Sequence, residues 1–295
     1  MTTHQLLAST ATLLTLTCMA ACADSDDDPA AVGSASSSTS SPAPTESEPD
    51  TTPSAEPVDI GGRSLVLECQ GSGSPTVVLE AGLTGDTRTW ERVAPAIAET
   101  TRVCAYDRAN VGQSDPAPTP RSAQDMVEDL DAVLRASGEE SPFVLVGFSF
   151  GGLVSQLYAA THPGRVAGIV LVESSHPDEI DVFHSHLTTK QVAEDEAEMQ
   201  ANSEGVDLPE SFAQVQEAPN LPNVPLVVVS AARSDGWPPG WDATVFDRLR
   251  AQQQRELAAL VPNGEQVIAD HSGHAVPQEQ PEAVIDAIKT VLRQN

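Results

Sequence analysis

Residues 147–151 read Gly-Phe-Ser-Phe-Gly, and this motif constrains the fold more than any other part of the chain. The residues before it, 143–146, are apolar and favour a β-strand, and residues 152–160 favour a packed helix. Flanking glycines let a strand turn sharply into a helix, with the serine in a strained backbone conformation. The pattern predicts that the Ser149 hydroxyl is exposed at a helix N-terminus, where negative charge is favoured. A glycine-rich turn whose serine only caps the helix is the alternative.

Apolar strands alternate with helices along most of the chain. Because most of these strands are apolar throughout, both faces of their sheet should be covered. The sequence therefore predicts an α/β fold with a mostly parallel, eight-stranded sheet flanked by helices. The predicted elements are a hairpin at 58–69, strands at 76–80, 102–107, 143–146, 166–172, 226–230 and 266–269, and helices at 90–99, 122–136 and 281–293.

A long insertion interrupts this alternation at about residues 176–222. The segment is acidic and helix-prone, and it lies between the strands at 166–172 and 226–230. Insertions of this size after a strand usually cover the ligand site. We therefore expect a helical cap over the pocket.

The first 57 residues do not read as part of the folded domain, which we expect at 58–295. Residues 6–22 are apolar and rich in small residues but too short to cross a bilayer as a stable helix, so residues 1–22 are predicted to be an export signal. Cys22 follows small residues, which is typical of a lipidated cysteine after signal cleavage; a cleaved signal with an incidental cysteine is the alternative. Residues 23–57 are rich in Ser, Thr, Pro and acid and predict a disordered tether. The protein is thus expected to be exported, as an envelope lipoprotein anchored through Cys22 or as a secreted protein.

The charge of the chain limits its partners. It carries 43 Asp and Glu against 15 Lys and Arg, a formal net charge of -28, and the excess continues beyond the tether. Such a surface repels nucleic acid and anionic lipid. A small molecule is the expected ligand.

Two cysteines, Cys69 and Cys104, lie in strand-like stretches of the predicted domain. In an exported protein such a pair can form a disulfide. The alternative is two buried small hydrophobic residues. The Cys and His residues do not have metal-ligand spacing, and nothing in the motifs requires a metal or an organic cofactor.

Four segments in chain order make residues 58–295 resemble the α/β-hydrolase family. They are Glu-Ala-Gly-Leu at 80–83, the loop 107–115 with Asn110 where the family often has glycine, the motif at 147–151, and Ser-Gly-His at 272–274. The resemblance implies that Ser149 is a nucleophile and that the backbone N–H groups of Leu83 and Phe150 form an oxyanion hole. A serine at this position disfavours epoxide and carbon–halogen hydrolysis, which need a carboxylate.

His274 is the candidate general base, because it stands in the loop after the last strand, where the family places its base. His271, three residues earlier, is the nearest rival. The remaining histidines lie in the signal, on the helix after the serine motif or at the start of the cap.

Two residues compete to be the acid that orients His274. Asp235 follows the strand at 226–230, the usual position in the family, and Glu173 ends the strand at 166–172, where some members carry the acid. A carboxylate at the end of an apolar strand is costly without a partner, so Glu173 also needs an explanation. Asp235 is favoured by a small margin.

These residues predict a serine hydrolase that cleaves an ester-type small molecule through an acyl-enzyme. One alternative is a noncatalytic binding protein with the same fold. Another is the same triad used for thioester, lactone, amide or carbon–carbon hydrolysis or for perhydrolysis, which the motifs do not separate.

Overall fold

The computed structural model describes residues 54–295. The predicted signal at 1–22, Cys22 and most of the tether lie outside the described residues. No helix within 54–295 is both long and apolar enough to cross a membrane.

An eight-stranded sheet organises residues 54–295, as the sequence predicts. Its strand order is β1-β2-β4-β3-β5-β6-β7-β8. Strands β3 to β8 run parallel to one another, whereas β1 and β2 join the edge in antiparallel fashion. The strands are β1 Ser54–Asp59, β2 Ser64–Gln70, β3 Val77–Glu80, β4 Val103–Tyr106, β5 Phe143–Phe148, β6 Val166–Val172, β7 Leu226–Ala231 and β8 Glu265–Ala269.

Helices cover both faces of this sheet. Along β5, Leu145 packs with α2 and α3 on one face, whereas Val144 and Val146 pack with α1 and α9 on the other. This explains why the central strands are apolar throughout. The helices are α1 Ala94–Ala98, α2 Ala123–Ala136, α3 Phe150–Thr161, α4 Glu179–His184, α5 Thr189–Gln200, α6 Leu208–Gln216, α7 Ala243–Ala258, α8 Val276–Glu279 and α9 Pro281–Leu292, with short 3-10 helices at Thr87–Trp90 and Pro163–Arg165.

The helices differ from the prediction in two places. The helix predicted at 90–99 is split into the 3-10 turn Thr87–Trp90 and α1, and Pro95 stands in the first turn of α1, where its missing N–H costs nothing. Helix α7 was not predicted at all. Asp242 caps it by accepting from Thr244 N, and the helix buries apolar residues such as Phe246 and Leu249 together with Gln253 and Gln254.

The folded domain begins before the boundary that the composition suggests. Strand β1 starts at Ser54 and pairs with β2 from Ser54↔Cys69 to Asp59↔Ser64, so the predicted tether 23–57 extends four residues too far. The partner strand supplies backbone hydrogen bonds, so a polar sequence can form a strand at the edge. Pro57 is tolerated there because an edge strand has one unpaired side.

Three helices form the insertion between β6 and β7. Helices α4, α5 and α6 occupy the segment in which a helical cap was expected. Helix α6 packs Phe212 into the core shared with α2 and α3, whereas α5 buries no side chain. The cap is therefore anchored through α6 and its flanking loop, where Arg121 N donates to Gly205 O at 2.9 Å.

A disulfide joins Cys69 on β2 to Cys104 on β4, which are paired across the two strands. The Glu139 carboxylate lies within 4.8 Å of both sulfur atoms. Because bonded sulfur is not a thiolate, this group is not a metal-ligand set.

Candidate active site

Ser149 sits on a sharp turn between β5 and α3. Its φ is 53° and its ψ is -124°, a conformation that costs energy in a residue with a side chain. Its N–H donates to Val172 O at 3.0 Å, which ties the turn to the end of β6. A Cβ added at Gly151 would lie 2.3 Å from Ala81 O, so this position needs glycine. The predicted strand–turn–helix unit is therefore present.

His274 reaches Ser149 from the loop after β8. Its Nε2 lies 3.1 Å from Ser149 Oγ, and its ring centroid is 5.0 Å from that of Phe148. Burial of the imidazole, the Arg250 guanidinium beside it and the weaker opposing effect of Asp235 together lower the pKa of His274 to about 4. The imidazole is therefore neutral at pH 7.

A guanidinium faces the other nitrogen of this imidazole. Arg250, on α7, places Nη2 2.6 Å from His274 Nδ1 and is also ion-paired through Nε to Glu173. A guanidinium has donors only, so Nδ1 of the neutral ring must accept this hydrogen bond. The ring proton then sits on Nε2, next to Ser149.

Both candidate acids lie near His274, but within residues 54–295 neither accepts from Nδ1. Glu173 is buried with φ 41°, accepts from Ala231 N at 2.5 Å and pairs with Arg250. Its burial raises its pKa, and Arg250 opposes that effect. Asp235 accepts from His274 N at 2.7 Å and lies on an exposed loop. Asp235 thus contacts the backbone of the base directly, whereas Glu173 is linked to it through Arg250, and the identity of the acid stays a prediction.

The proposed oxyanion donors lie beside the serine. A Cβ added at Gly82 would come 3.3 Å from Ser149 Cβ, so the loop after β3 passes directly over the turn. Leu83 and Phe150 line the same cavity as Ser149. Among the hydrogen bonds of residues 54–295, none uses the N–H of Leu83 or Phe150. Within these residues both N–H groups therefore lack a hydrogen-bond partner, as the donors of an oxyanion hole must in the free protein.

A cavity of about 300 Å³ opens over Ser149. Apart from Ser149 and Ser175, its polar lining consists of the carboxyls of Glu179 and Asp195, and no Lys or Arg of residues 54–295 lines it. The rings of Trp237 and Trp241 lie nearly parallel, with centroids 6.0 Å apart. Its other aromatic residues are Phe150, Phe183 and Phe212. A larger hollow of about 740 Å³ beside β1 and β2 contains none of the candidate catalytic residues.

Glu179 is the cavity residue with the most perturbed ionisation. Its loss of water raises its pKa to about 7, an effect that Arg250 opposes. Asp195, the other carboxylate of the cavity, pairs with His184 Nε2 at 2.8 Å. The cavity is thus apolar and aromatic, with one carboxyl that titrates near neutral pH.

Comparison with known proteins agrees with this architecture. A family model described as "alpha/beta hydrolase fold" matches residues 75–203. The crystal structure of a putative lipase from Acinetobacter baumannii AYE superposes with a TM-score of 0.59 at 19% identity, covering 82% of this chain and 91% of that one. The chain has the α/β-hydrolase fold.

Sequence relatives of this α/β-hydrolase-fold chain are either low in identity or short in extent. The uncharacterized protein YqjL of Bacillus subtilis (strain 168) is 23% identical over 75% of this chain and 85% of its own length. The putative carbamate hydrolase RutD of Azorhizobium caulinodans is 34% identical, but over 38% of this chain and 42% of RutD.

Other histidines of the α/β-hydrolase-fold domain lie apart from Ser149. His271, the nearest rival in sequence, is exposed, and its Nε2 lies 3.7 Å from Asp270. His162 stacks on Tyr158 with centroids 4.7 Å apart. The structure therefore places His274 alone among the described histidines against the serine.

Arg250 is the site residue that sequence reasoning missed. It belongs to α7, which was not predicted, and the resemblance provides no basic residue at this position. The available signal was weak: Asp242 as a helix cap, followed by Phe246, Leu249 and Leu257 at helical spacing.

Proposed function

We propose that this protein is a serine hydrolase that cleaves an ester-type small molecule through an acyl-enzyme intermediate. The observation that carries the proposal is the 3.1 Å contact between Ser149 Oγ and His274 Nε2 at the N-terminus of α3, inside an apolar cavity. The names of the relatives support hydrolysis, since one is a putative lipase and one a putative carbamate hydrolase.

Ser149 is the proposed nucleophile. His274 Nε2 removes the hydroxyl proton while Oγ forms a bond to the ester carbonyl carbon. The carbonyl oxygen becomes an oxyanion, which the N–H groups of Leu83 and Phe150 stabilise. When the intermediate collapses, the bond to the alcohol breaks and His274 returns the proton to the alcohol. Water then repeats the sequence on the acyl-enzyme, releasing the acid and free Ser149.

This chemistry sets a requirement on the imidazole. To accept the serine proton, Nε2 must carry a lone pair, so Nδ1 must hold the ring proton and donate it to a carboxylate. Arg250 now supplies a donor at Nδ1. We propose that the productive form has Asp235 at Nδ1, with Glu173 as the alternative acid.

The cavity supports an acyl or aryl group of apolar character. Its walls are mostly aromatic and aliphatic side chains around Ser149. Burial of apolar substrate surface contributes roughly 25 cal/mol per Å², so the pocket would favour a hydrophobic acyl chain. The same triad would also act on thioesters, lactones or amides, which a substrate panel separates.

Export is the second part of the proposal. The signal-like residues 1–22 and the acidic composition support a secreted or envelope-anchored protein, and the Cys69–Cys104 disulfide is typical of an oxidising compartment. Labelling with a radioactive fatty acid, compared between the wild type and Cys22→Ala, tests the lipid anchor. Equal labelling of the two would exclude it.

A fluorophosphonate probe combined with hydrolysis of short para-nitrophenyl esters tests the catalytic proposal. The wild type should be labelled and should turn over, and Ser149→Ala should lose both. Ser175→Ala is the matched control, because this serine lines the same cavity and should not be needed for labelling. Full activity of Ser149→Ala would refute the proposal.

A noncatalytic α/β-hydrolase-fold binding protein is the second candidate. The contact of Arg250 with His274 Nδ1 favours it, because it holds the base in the unproductive tautomer. A folded wild type that is neither labelled nor hydrolytic over a broad ester panel would decide for this candidate.

A further inference from the structure

A buried ionic cluster lies behind the loop that carries Leu83. Arg108, 3% exposed, donates through Nη1 to Glu80 Oε1 at 2.5 Å and through Nε to Glu204 Oε1 at 2.6 Å. Tyr106 OH also donates to Glu80, Oε2, at 2.5 Å. Every charged member of the cluster is therefore paired.

The same guanidinium holds the backbone of the loop. Nη1 of Arg108 donates to Ala81 O and Nη2 to Gly82 O, both at 2.7 Å. These are the two carbonyls immediately before Leu83. One rigid fork thus fixes the path of the chain up to the proposed oxyanion donor.

The residue after Leu83 is held from the cap. Glu204, 1% exposed, lies between α5 and α6, and its Oε2 accepts from Thr84 N at 2.9 Å. Thr84 has φ 61°, which is unfavourable for a β-branched residue. The carboxylate therefore stabilises a strained conformation next to the donor, and Asn110 Nδ2 fastens Glu204 itself through its carbonyl at 3.1 Å.

We infer that Glu204 and Arg108 are positioning residues that aim the Leu83 N–H at the reacting carbonyl oxygen, so that the cap takes part in catalysis. This inference rests on the proposed function. A buried ion pair contributes little net stability, because desolvation of its charges offsets their attraction. The role we assign to this cluster is instead to orient the Leu83 N–H, because it fixes the backbone on both sides of that group.

Glu204→Ala tests the inference. Loss of an oxyanion donor costs on the order of a hundredfold in kcat. Because the donor acts mainly when the carbonyl oxygen is charged, KM should change far less than kcat. A trifluoromethyl ketone that adds to Ser149 forms a similar oxyanion. The affinity for this inhibitor should therefore fall in parallel with kcat, whereas KM for the ester should change little.

Adding Thr84→Gly to Glu204→Ala should restore part of kcat. A purely structural role of Glu204 does not predict this rescue. Glycine adopts a positive φ without strain, so the double variant with Glu204→Ala should recover part of the lost kcat and inhibitor affinity. Glu139→Gln is the control. It weakens the pair with Arg102 and the hydrogen bond from Thr76, which lies before β3 at the end opposite to Leu83, so it should lower the melting temperature while leaving kcat unchanged.

The outcomes separate the two proposals. If Glu204→Ala folds and keeps the wild-type kcat and inhibitor affinity, the positioning role is wrong while the hydrolase proposal stands. If the wild type shows no turnover that depends on Ser149, both are wrong. Should Glu204→Ala fail to fold, Glu204→Gln decides by the same readouts. Its amide oxygen still accepts from Thr84, and a smaller loss confined to kcat is expected.

Discussion

Arg250 and His274 are joined by a hydrogen bond of 2.6 Å between Nη2 and Nδ1. The cation occupies the place where a triad needs a carboxylate, so the ring proton lies on Nε2. This nitrogen then has no lone pair with which to accept the hydroxyl proton of Ser149. The proposed catalysis therefore requires Arg250 to release Nδ1. When it does so, the guanidinium can stay ion-paired with Glu173, its second partner.

Arg250→Met should shift the pH profile of kcat/KM. The wild-type imidazole has its pKa lowered to about 4, partly by the adjacent cation, so the base form persists well into acid. Without the cation the pKa of His274 rises toward its ordinary value, and the acid limb moves to higher pH by the same amount. At neutral pH, kcat/KM should rise because Nδ1 is free for an acid.

Arg248→Met is the control for that shift, since Arg248 is an exposed arginine on the same helix. Its profile should match the wild type. An unchanged acid limb in Arg250→Met would mean that the guanidinium does not face His274 in solution. Because Glu173 loses its counter-charge, a lower melting temperature is expected and should be measured alongside.

Asp235→Asn and Glu173→Gln should differ widely in their effect on kcat. Asp235 lies on an exposed loop and already touches the backbone of His274, so it can reach Nδ1 once Arg250 leaves. Glu173 is held by Arg250 and Ala231 N. We expect Asp235→Asn to lower kcat by about ten-thousandfold and Glu173→Gln to have a small effect. The opposite ranking would assign the acid to Glu173.

Glu179 should make the rate of ester hydrolysis depend on the charge of the substrate's acyl chain. Its pKa is raised to about 7 by burial, so it is mostly neutral below that pH and mostly anionic above it. Two para-nitrophenyl esters with acyl chains of equal length, one ending in trimethylammonium and one in tert-butyl, differ in charge but not in shape. The ratio of kcat/KM for cationic over neutral ester should rise from about pH 6 to about pH 8.

Glu179→Gln should remove this pH dependence, because its amide does not ionise. Glu210→Gln, an exposed change on α6, should leave the ratio as in the wild type. A ratio that stays constant with pH in the wild type would show that Glu179 does not contact the acyl chain. Hydrolysis of the neutral ester tests the basic activity separately.

The disulfide should account for a large part of the stability. It closes a loop of 35 residues in sequence separation, for which chain entropy corresponds to about 3 to 4 kcal/mol. Replacing both Cys69 and Cys104 by alanine should lower the free energy of unfolding by this order, measured by denaturant titration. Reductant should destabilise the wild type and have no effect on the double variant; equal sensitivity would argue against the bond.

The sheet and the turn at Ser149 could be predicted because they follow from local patterns, whereas His274 was chosen from the family resemblance. Apolar strands predict a covered parallel sheet, and glycine around Ser149 predicts the turn, whatever the rest of the chain does. Strand β1 was placed too late because its backbone pairing with β2 leaves no apolar signature in 54–57. Composition describes what a segment can bury and not what it can pair with.

Arg250 and Glu204 could not be predicted, because their roles depend on distant partners. Arg250 meets a base 24 residues away and Glu204 meets an arginine 96 residues away, and both stand in segments of ordinary polar composition. Long side chains on such segments are usually solvated. Only the packing of α7 and of the cap loop shows which ones turn inward.

The bond from Glu204 to Thr84 also bears on how new specificities could arise in this scaffold. A cap exchanged with that of a relative would replace the pocket wall and the carboxylate that steadies the Thr84 loop in a single event. Substrate range and turnover would then change together. Grafted caps that keep an acid at this position should be the ones that start as working enzymes.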